Sequence, residues 1–194
     1  MIIKKKCKDH LKNAEQCVLS FEDLYVEKLQ KLIKETKGFV IFTGVGKNGH
    51  IAALASSTFA SMGIKSIYIN PVDAVHGDMG NISEKDLVIN ISKSGNTTEL
   101  LNFLENLTQN KKIKVVSIHS NLSGKTSKFC DLEVYLKCPV EIDSFDIVPT
   151  TSIVSYLIFL QSLGVAISES NGFSLKKFKV NHPGGSIGNR LKNE

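Results

Sequence analysis

Apolar residues recur at three- and four-residue steps between about Lys8 and Lys37, at Leu11, Ala14, Val18, Phe21, Leu24, Tyr25, Leu29 and Leu32, with charges between them. That period predicts an amphipathic helix. Ser20 with Asp23 marks a point where it divides into two, and Gly38 ends it. The pattern then changes to short, mostly apolar runs rich in β-branched residues: Phe39–Thr43, Ser66–Asn70, Leu87–Ile91, Lys114–His119 and Leu132–Leu136. These predict strands. Between them lie helical patterns at about His50–Met62, stopped by Gly63, and from Thr97 or Thr98 to Asn110, while Pro71–Asn81 is a polar loop. Pro149 sits where a helix starts, and Ser152–Ser168 is long and apolar. A tail, Lys176–Glu194, follows. Nearly all-apolar strands alternating with helices imply a parallel sheet covered on both faces. No linker suggests a second domain, so residues 1–37 form a helical segment and residues 38–194 a sandwich core with its tail.

Composition narrows the picture. A chain of 194 residues with 42% hydrophobic and 22% charged residues suits one globular domain with its own core. The net charge of +5 comes from scattered lysines and one cluster at Lys4, Lys5, Lys6 and Lys8, a solvated helix start. Without a basic stripe interleaved with aromatics, no nucleic-acid partner is expected; a modest positive balance suits an anionic metabolite. The N-terminus lacks a signal-peptide core. The most apolar run, Ile153–Ile167, is broken by Ser155, Gln161, Ser162 and Gly164 and falls short of the roughly 20 residues of a membrane span. It reads as a core helix, and no membrane partner is expected. Cys7, Cys17, Cys130 and Cys138 form no CxxC pair and no metal-ligand spacing, so reduced thiols in a cytoplasmic protein are expected.

Two loops carry candidate chemistry. After the Leu87–Ile91 strand, Ser92, Ser94, Thr97 and Thr98 place four hydroxyls around Gly95, at the start of a helix. Hydroxyls, free first-turn amides and the positive end of the helix dipole make a cup for phosphate. The same residue types also serve simply as turn and capping residues. After the first strand, Gly44-Val45-Gly46-Lys47-Asn48-Gly49 matches the dinucleotide pattern, but the second strand lacks the acidic residue that binds ribose, ending in Asn70-Pro71. Nor is it a Walker A loop. Lys47 stands either as a mobile cation for an oxyanion or as a surface lysine. In such sheets ligands sit beyond the carboxyl ends of the strands, where both loops fall. A lysine loop beside a hydroxyl loop fits a small phosphorylated ligand better than a dinucleotide. His76 beside Asp78 supplies too few ligands for a metal site.

Five blocks, in order, resemble a known family: Gly44-Val45-Gly46-Lys47-Asn48-Gly49-His50, Ala74-Val75-His76-Gly77-Asp78, Ile91-Ser92-Lys93-Ser94-Gly95-Asn96-Thr97-Thr98-Glu99, Val148-Pro149-Thr150-Thr151-Ser152 and His182-Pro183-Gly184-Gly185-Ser186-Ile187-Gly188. They are similar to the arabinose-5-phosphate isomerases of the sugar isomerase (SIS) superfamily, in the form without CBS domains, over about Phe39–Leu191. The resemblance implies an α/β fold, a three-layer α/β/α sandwich around a five-stranded parallel sheet, in a homotetramer. It implies interconversion of D-ribulose 5-phosphate and D-arabinose 5-phosphate, for the Kdo of lipopolysaccharide or capsule. It transfers catalytic roles to Lys47, Glu99, Glu141 and His182. The serine loop departs from the usual pattern at Asn96, Thr97 and Thr98, which keep its hydrogen-bonding capacity, and Cys138–Val148 departs apart from Glu141.

The mechanism this suggests needs neither metal nor redox cofactor, because the reaction moves a proton between C1 and C2 through a cis-enediolate. Gly46, Ser92, Ser94, Thr97 and Thr98 are expected to hold the phosphate. Glu141, made more basic by partial desolvation, and His182 are expected to transfer protons. Lys47 stabilises negative charge, Glu99 assists ring opening or orients Lys47, and His76 touches substrate hydroxyls. His182 is expected to reach a neighbouring subunit's crevice. Competing readings are an isomerase of another phosphosugar and a non-catalytic phosphosugar sensor.

Overall fold

The apolar runs lie side by side in one sheet. A computed structural model describes residues 1–192; the last two positions of the expected tail, 193–194, lie outside the described residues. Five parallel strands, β1 (Val40–Thr43), β2 (Ser66–Tyr68), β3 (Leu87–Ile91), β4 (Lys114–His119) and β5 (Leu132–Tyr135), stand in the order β2-β1-β3-β4-β5. Every residue of β1 and β3 is buried, as strands covered on both faces require.

The covering is double. On one face α1 (Ile2–Val18), α2 (Asp23–Glu35), α3 (Lys47–Ser61) and α6 (Thr151–Ser170) contribute Cys17, Leu29, Ile33, Ile51, Phe59, Tyr156 and Leu160 to a core with Phe42, Ile89 and Ile118. On the other, α4 (Pro71–Ala74) and α5 (Thr98–Asn110) pack Ala74, Leu100, Phe103, Leu104 and Leu107 against Ile41, Val88 and Val115. The architecture is the expected three-layer α/β/α sandwich. The four α5 residues are fully buried, and at about 1.5–3 kcal/mol each they hold that helix far more firmly than its intrinsic propensity does. Phe103→Ala alone would cost roughly 3–5 kcal/mol. Helix α6, long and apolar enough to cross a membrane by composition, instead buries Tyr156, Leu160, Leu163 and Ile167 in the sandwich.

The structure corrects several expectations. Helix α1 begins at Ile2, not Lys8, so the lysine cluster lies within it; the break near Ser20 is where expected. The polar 71–81 stretch contains α4, opened by Pro71 and capped by Asn70 Oδ1 accepting from the Val72 amide at 3.0 Å, and a 3-10 turn at Asp78–Asn81. The tail forms α7 (Leu175–Asn181) and α8 (Gly185–Lys192). Cys17 and Cys138, expected as thiols, are joined as a disulfide. The second half of α1 and the turn after it pack against the segment leaving β5: Ser20 Oγ accepts from the Lys137 amide at 2.7 Å and Asn13 Nδ2 donates to the Val140 carbonyl at 3.2 Å. This brings the two Cα atoms to 4.5 Å, within bridging range, although 121 residues separate them in sequence. Cys7 and Cys130 are free.

Candidate active site

Strands β1 and β3 are direct neighbours, pairing Val40 with Leu87 through Thr43 with Asn90. Their following helices leave to opposite faces, α3 to one and α5 to the other. The carboxyl ends of such a pair open a crevice, the place where doubly wound sheets take ligands. Both candidate loops border it, as expected.

Gly46 caps α3, and Lys47 is the exposed first residue of that helix. The sequence pattern places Lys47 in mid-turn, with the helix starting at His50. The helix starts earlier because Gly49 belongs inside it. A Cβ there would lie 2.8 Å from the Gly44 carbonyl oxygen and 2.9 Å from the Tyr68 hydroxyl, so close helix–strand packing, not a dinucleotide, accounts for the third glycine. No side chain caps the α3 N-terminus.

The serine loop is built from below. Asn90, fully buried, donates to the Val116 carbonyl at 2.9 Å and accepts from Ser117 at 3.1 Å; Ser117 Oγ is also 3.1 Å from Thr126 Oγ1. The Thr126 amide donates to the Gly95 carbonyl at 3.0 Å. Gly95 adopts φ +63, and a Cβ there would sit 2.8 Å from Gly124 Cα, so only glycine lets the two loops approach. Ser92, 2% exposed, accepts from the Gly95 amide at 3.1 Å and lies 3.4 Å from Thr97 Oγ1; Ser94 Oγ accepts from the Asn96 amide at 3.1 Å. Ser94 and Thr98 are exposed and Thr97 is half-buried. Thr97 is the α5 N-cap but makes no side-chain capping bond, leaving the first-turn amides open to an anion. Glu99 stands exposed in that first turn.

Glu141 stands apart. It is 4% exposed and its carboxylate accepts from Lys93, Thr150 and Ser152. Oε1 accepts from Lys93 Nζ at 2.7 Å and Ser152 Oγ at 2.6 Å; Oε2 accepts from the Thr150 amide at 2.7 Å, Thr150 Oγ1 at 3.0 Å and the Ser152 amide at 3.3 Å. The carboxylate therefore caps α6, whose N-cap residue Thr150 makes no side-chain capping bond. Burial pushes its pKa up, but Lys93, Ser152 and Thr150 together outweigh that and hold it down at about 2. The expectation that desolvation gives Glu141 basicity thus fails in the free protein. Its own amide donates to Asp146 Oδ1 at 2.7 Å, and Asp146 is the lone non-glycine with positive φ (56) among the described residues. Neighbouring Ser120 and Tyr156 share a hydrogen bond between the end of β4 and α6.

Glu141, bonded to Lys93 just past the end of β3, stands on the carboxyl side of the sheet, the side on which α3 begins with Lys47. His182 does not join them within this chain. It is exposed at the end of α7, stacked on Phe178 with ring centroids 5.3 Å apart. The adjacent Asn181 donates to the Ser61 carbonyl at 3.4 Å, the far end of α3, about 20 Å from Lys47 by helix rise. His76 is exposed in the turn after α4, as is its neighbour Gly77. Cavities of about 600 Å³ beside His119, Glu133 and Tyr135, and of about 900 Å³ between α1 and α6, include none of the expected site residues. Among the described residues no three His, Cys, Asp or Glu side chains converge as metal ligands. Lys93, Thr150, Ser152, Asn90 and Thr126 carry no assignment from sequence. Only Lys93, a cation between two serines, gives a local signal.

A family model for the SIS domain matches residues 32–166. The chain is 35% identical over 154 residues to the arabinose 5-phosphate isomerase KdsD of Yersinia pestis, covering 79% of this chain and 47% of that protein. It is 36% identical over 165 residues to the arabinose 5-phosphate isomerase KpsF of Escherichia coli, covering 85% and 52%. The chain thus spans about half the length of the curated relatives it matches. A protein of E. coli CFT073 solved in complex with arabinose 5-phosphate superposes with a TM-score of 0.89 at 32% identity, covering 94% of this chain and 96% of that one. On the family match, the shared sandwich and this likeness, the chain belongs to the SIS domain family.

Proposed function

We propose that the chain is an aldose–ketose isomerase that interconverts D-ribulose 5-phosphate and D-arabinose 5-phosphate, supplying the Kdo branch of lipopolysaccharide or capsule synthesis. The observation that carries this reading is the pair of helix N-termini, α3 and α5, that face one crevice without side-chain caps. The names of the relatives and the sugar phosphate bound by the E. coli neighbour point to the same class of ligand.

The phosphate seats on Ser92, Ser94, Thr97, Thr98 and the open α5 amides, with Gly46 at the opposite lip. Anchoring that end positions the reacting carbons at the lysine rim. A base takes the C2 proton of the open-chain aldose and the electron pair moves to O1, giving a cis-enediolate; O1 gains a proton as O2 loses its own, and a proton returned to C1 gives the ketose. Electrons stay within the molecule, so no redox cofactor is called for. Lys47 stabilises the enediolate, Glu99 assists ring opening or orients Lys47, and His76 contacts substrate hydroxyls. Glu141, fully bonded as it stands, is a poor proton acceptor until substrate rearranges its partners, which shifts weight to His182. That histidine reaches the crevice of a neighbouring subunit in a homotetramer, and the protein works in the cytoplasm.

The test is to incubate the protein with ribulose 5-phosphate and follow the products by NMR. Appearance of arabinose 5-phosphate is expected. Tight binding without conversion, or conversion of a hexose phosphate in preference, overturns the reading.

A further inference from the structure

The serine loop carries one side chain that neither turns the loop nor faces the phosphate cup. Lys93 lies between Ser92 and Ser94; its carbonyl accepts from the Ser120 amide at 3.1 Å, and its Nζ reaches Glu141 Oε1 at 2.7 Å. We propose that Lys93 is a positioning residue for the reaction: it ties the phosphate-holding loop to the carboxylate that caps α6, so that seating the phosphate and orienting Glu141 become one event. This rests on the isomerase reading of the same site.

The pair is asymmetric. The Glu141 side chain is 1% exposed and the Lys93 side chain 40%. A buried carboxylate given only neutral donors keeps an uncompensated charge, which is costly. The two residues that cap α6 with it, Thr150 and Ser152, are neutral; Lys93 supplies the opposite charge. The other ionisable groups around Glu141 do not replace it. Tyr156 on α6 is a buried neutral hydroxyl whose pKa burial raises. Asp146 accepts the Glu141 amide, and Lys6 on α1 bonds to the Ile142 carbonyl. A surface lysine with no duty would extend into water; this one turns inward to a buried carboxylate on the rim. The tie also crosses the fold. It links the end of β3, which feeds α5 on one face, to the start of α6 on the other. Removing the ammonium frees the loop from α6 and lets burial raise the Glu141 carboxyl by about one to three pH units.

Three measurements on wild type, Lys93→Met and Lys93→Arg test this. First, ¹³C NMR titration of the Glu141 carboxyl without substrate: Lys93→Met moves the transition up by about one to three units, and Lys93→Arg restores most of it. Second, binding of inorganic phosphate: affinity falls about tenfold in Lys93→Met. Third, kinetics with ribulose 5-phosphate: an acid limb absent from wild type appears in kcat/KM, and KM rises together with the loss in kcat. A Glu141 titration unmoved, or phosphate affinity within about twofold of wild type, overturns the proposal. Should Lys93→Met not fold, Glu141→Gln cuts the same tie from its other end and must weaken phosphate by a similar factor; unchanged affinity again overturns it. The first two readouts need no turnover, so a protein inactive on ribulose 5-phosphate would sink the isomerase reading while leaving them to decide this one.

Discussion

Helices α3, α5 and α6 all begin on the carboxyl side of the sheet, yet their N-termini are treated in opposite ways. Those of α3 and α5 carry no side-chain cap, while that of α6 is filled by the Glu141 carboxylate, held by Lys93, Thr150 and Ser152. Every helix start has first-turn amides in need of acceptors. Where the protein supplies the acceptor, the start is a structural joint; where it does not, the start is available to an anion from outside. Lys93 stands at the boundary, with its backbone in the open loop and its ammonium in the closed joint.

The largest expected effect lies at the closed joint. Glu141→Ala leaves Lys93 and the α6 amides unpaired, which costs about 3–5 kcal/mol and lowers Tm by roughly 10 °C, measured by differential scanning calorimetry. Acid should reach the same joint. Because the folded pKa of Glu141 lies below its unfolded value of 4.5, its stabilisation is full above that value and is lost as pH falls towards about 2. Glu141→Gln should flatten that limb in denaturant titrations; a limb unchanged by the substitution contradicts the assignment. At the open rim the signature reverses. Lys47→Met should cut turnover by about 10²-fold or more with Tm almost unmoved, since the side chain is exposed. A parallel loss of stability would mean that Lys47 is part of the scaffold. Gly95→Ala, which brings a Cβ within 2.8 Å of Gly124 Cα at φ +63, should cost about 1–3 kcal/mol and weaken phosphate binding as the loop shifts. Smallest of all, Ser94→Ala removes one exposed hydroxyl and should lower sugar-phosphate affinity by about 1 kcal/mol in isothermal titration, with no change in Tm.

The open region is far more legible in the sequence than the closed one. Strands β3 and β4 match their expected bounds residue for residue, because an uninterrupted apolar run between polar loops has few other homes in a sheet covered on both faces. The serine loop announces itself through residues that are contiguous in the chain. The start of α3 escapes the pattern because two nearby glycines read as breakers, whereas Gly49 is required by the contact with Gly44 and Tyr68. The Glu141 joint draws its donors from positions 93, 150 and 152, and no local pattern connects them. The same holds for the disulfide, whose halves meet only because α1 packs beside the strand exit. His182 shows the remaining limit: its motif is plain in the sequence, but its place at the far end of α3 from Lys47 follows from how α7 docks.

An amide NMR titration of the assigned protein with arabinose 5-phosphate distinguishes the open helix starts from the closed one. The first and largest shifts are expected at residues 94–99 and 46–48, the two open helix starts, with the Thr150 and Ser152 amides responding only through the Lys93 tie. Shifts centred on Thr150 and Ser152, or none at the serine loop at saturating sugar phosphate, would contradict this.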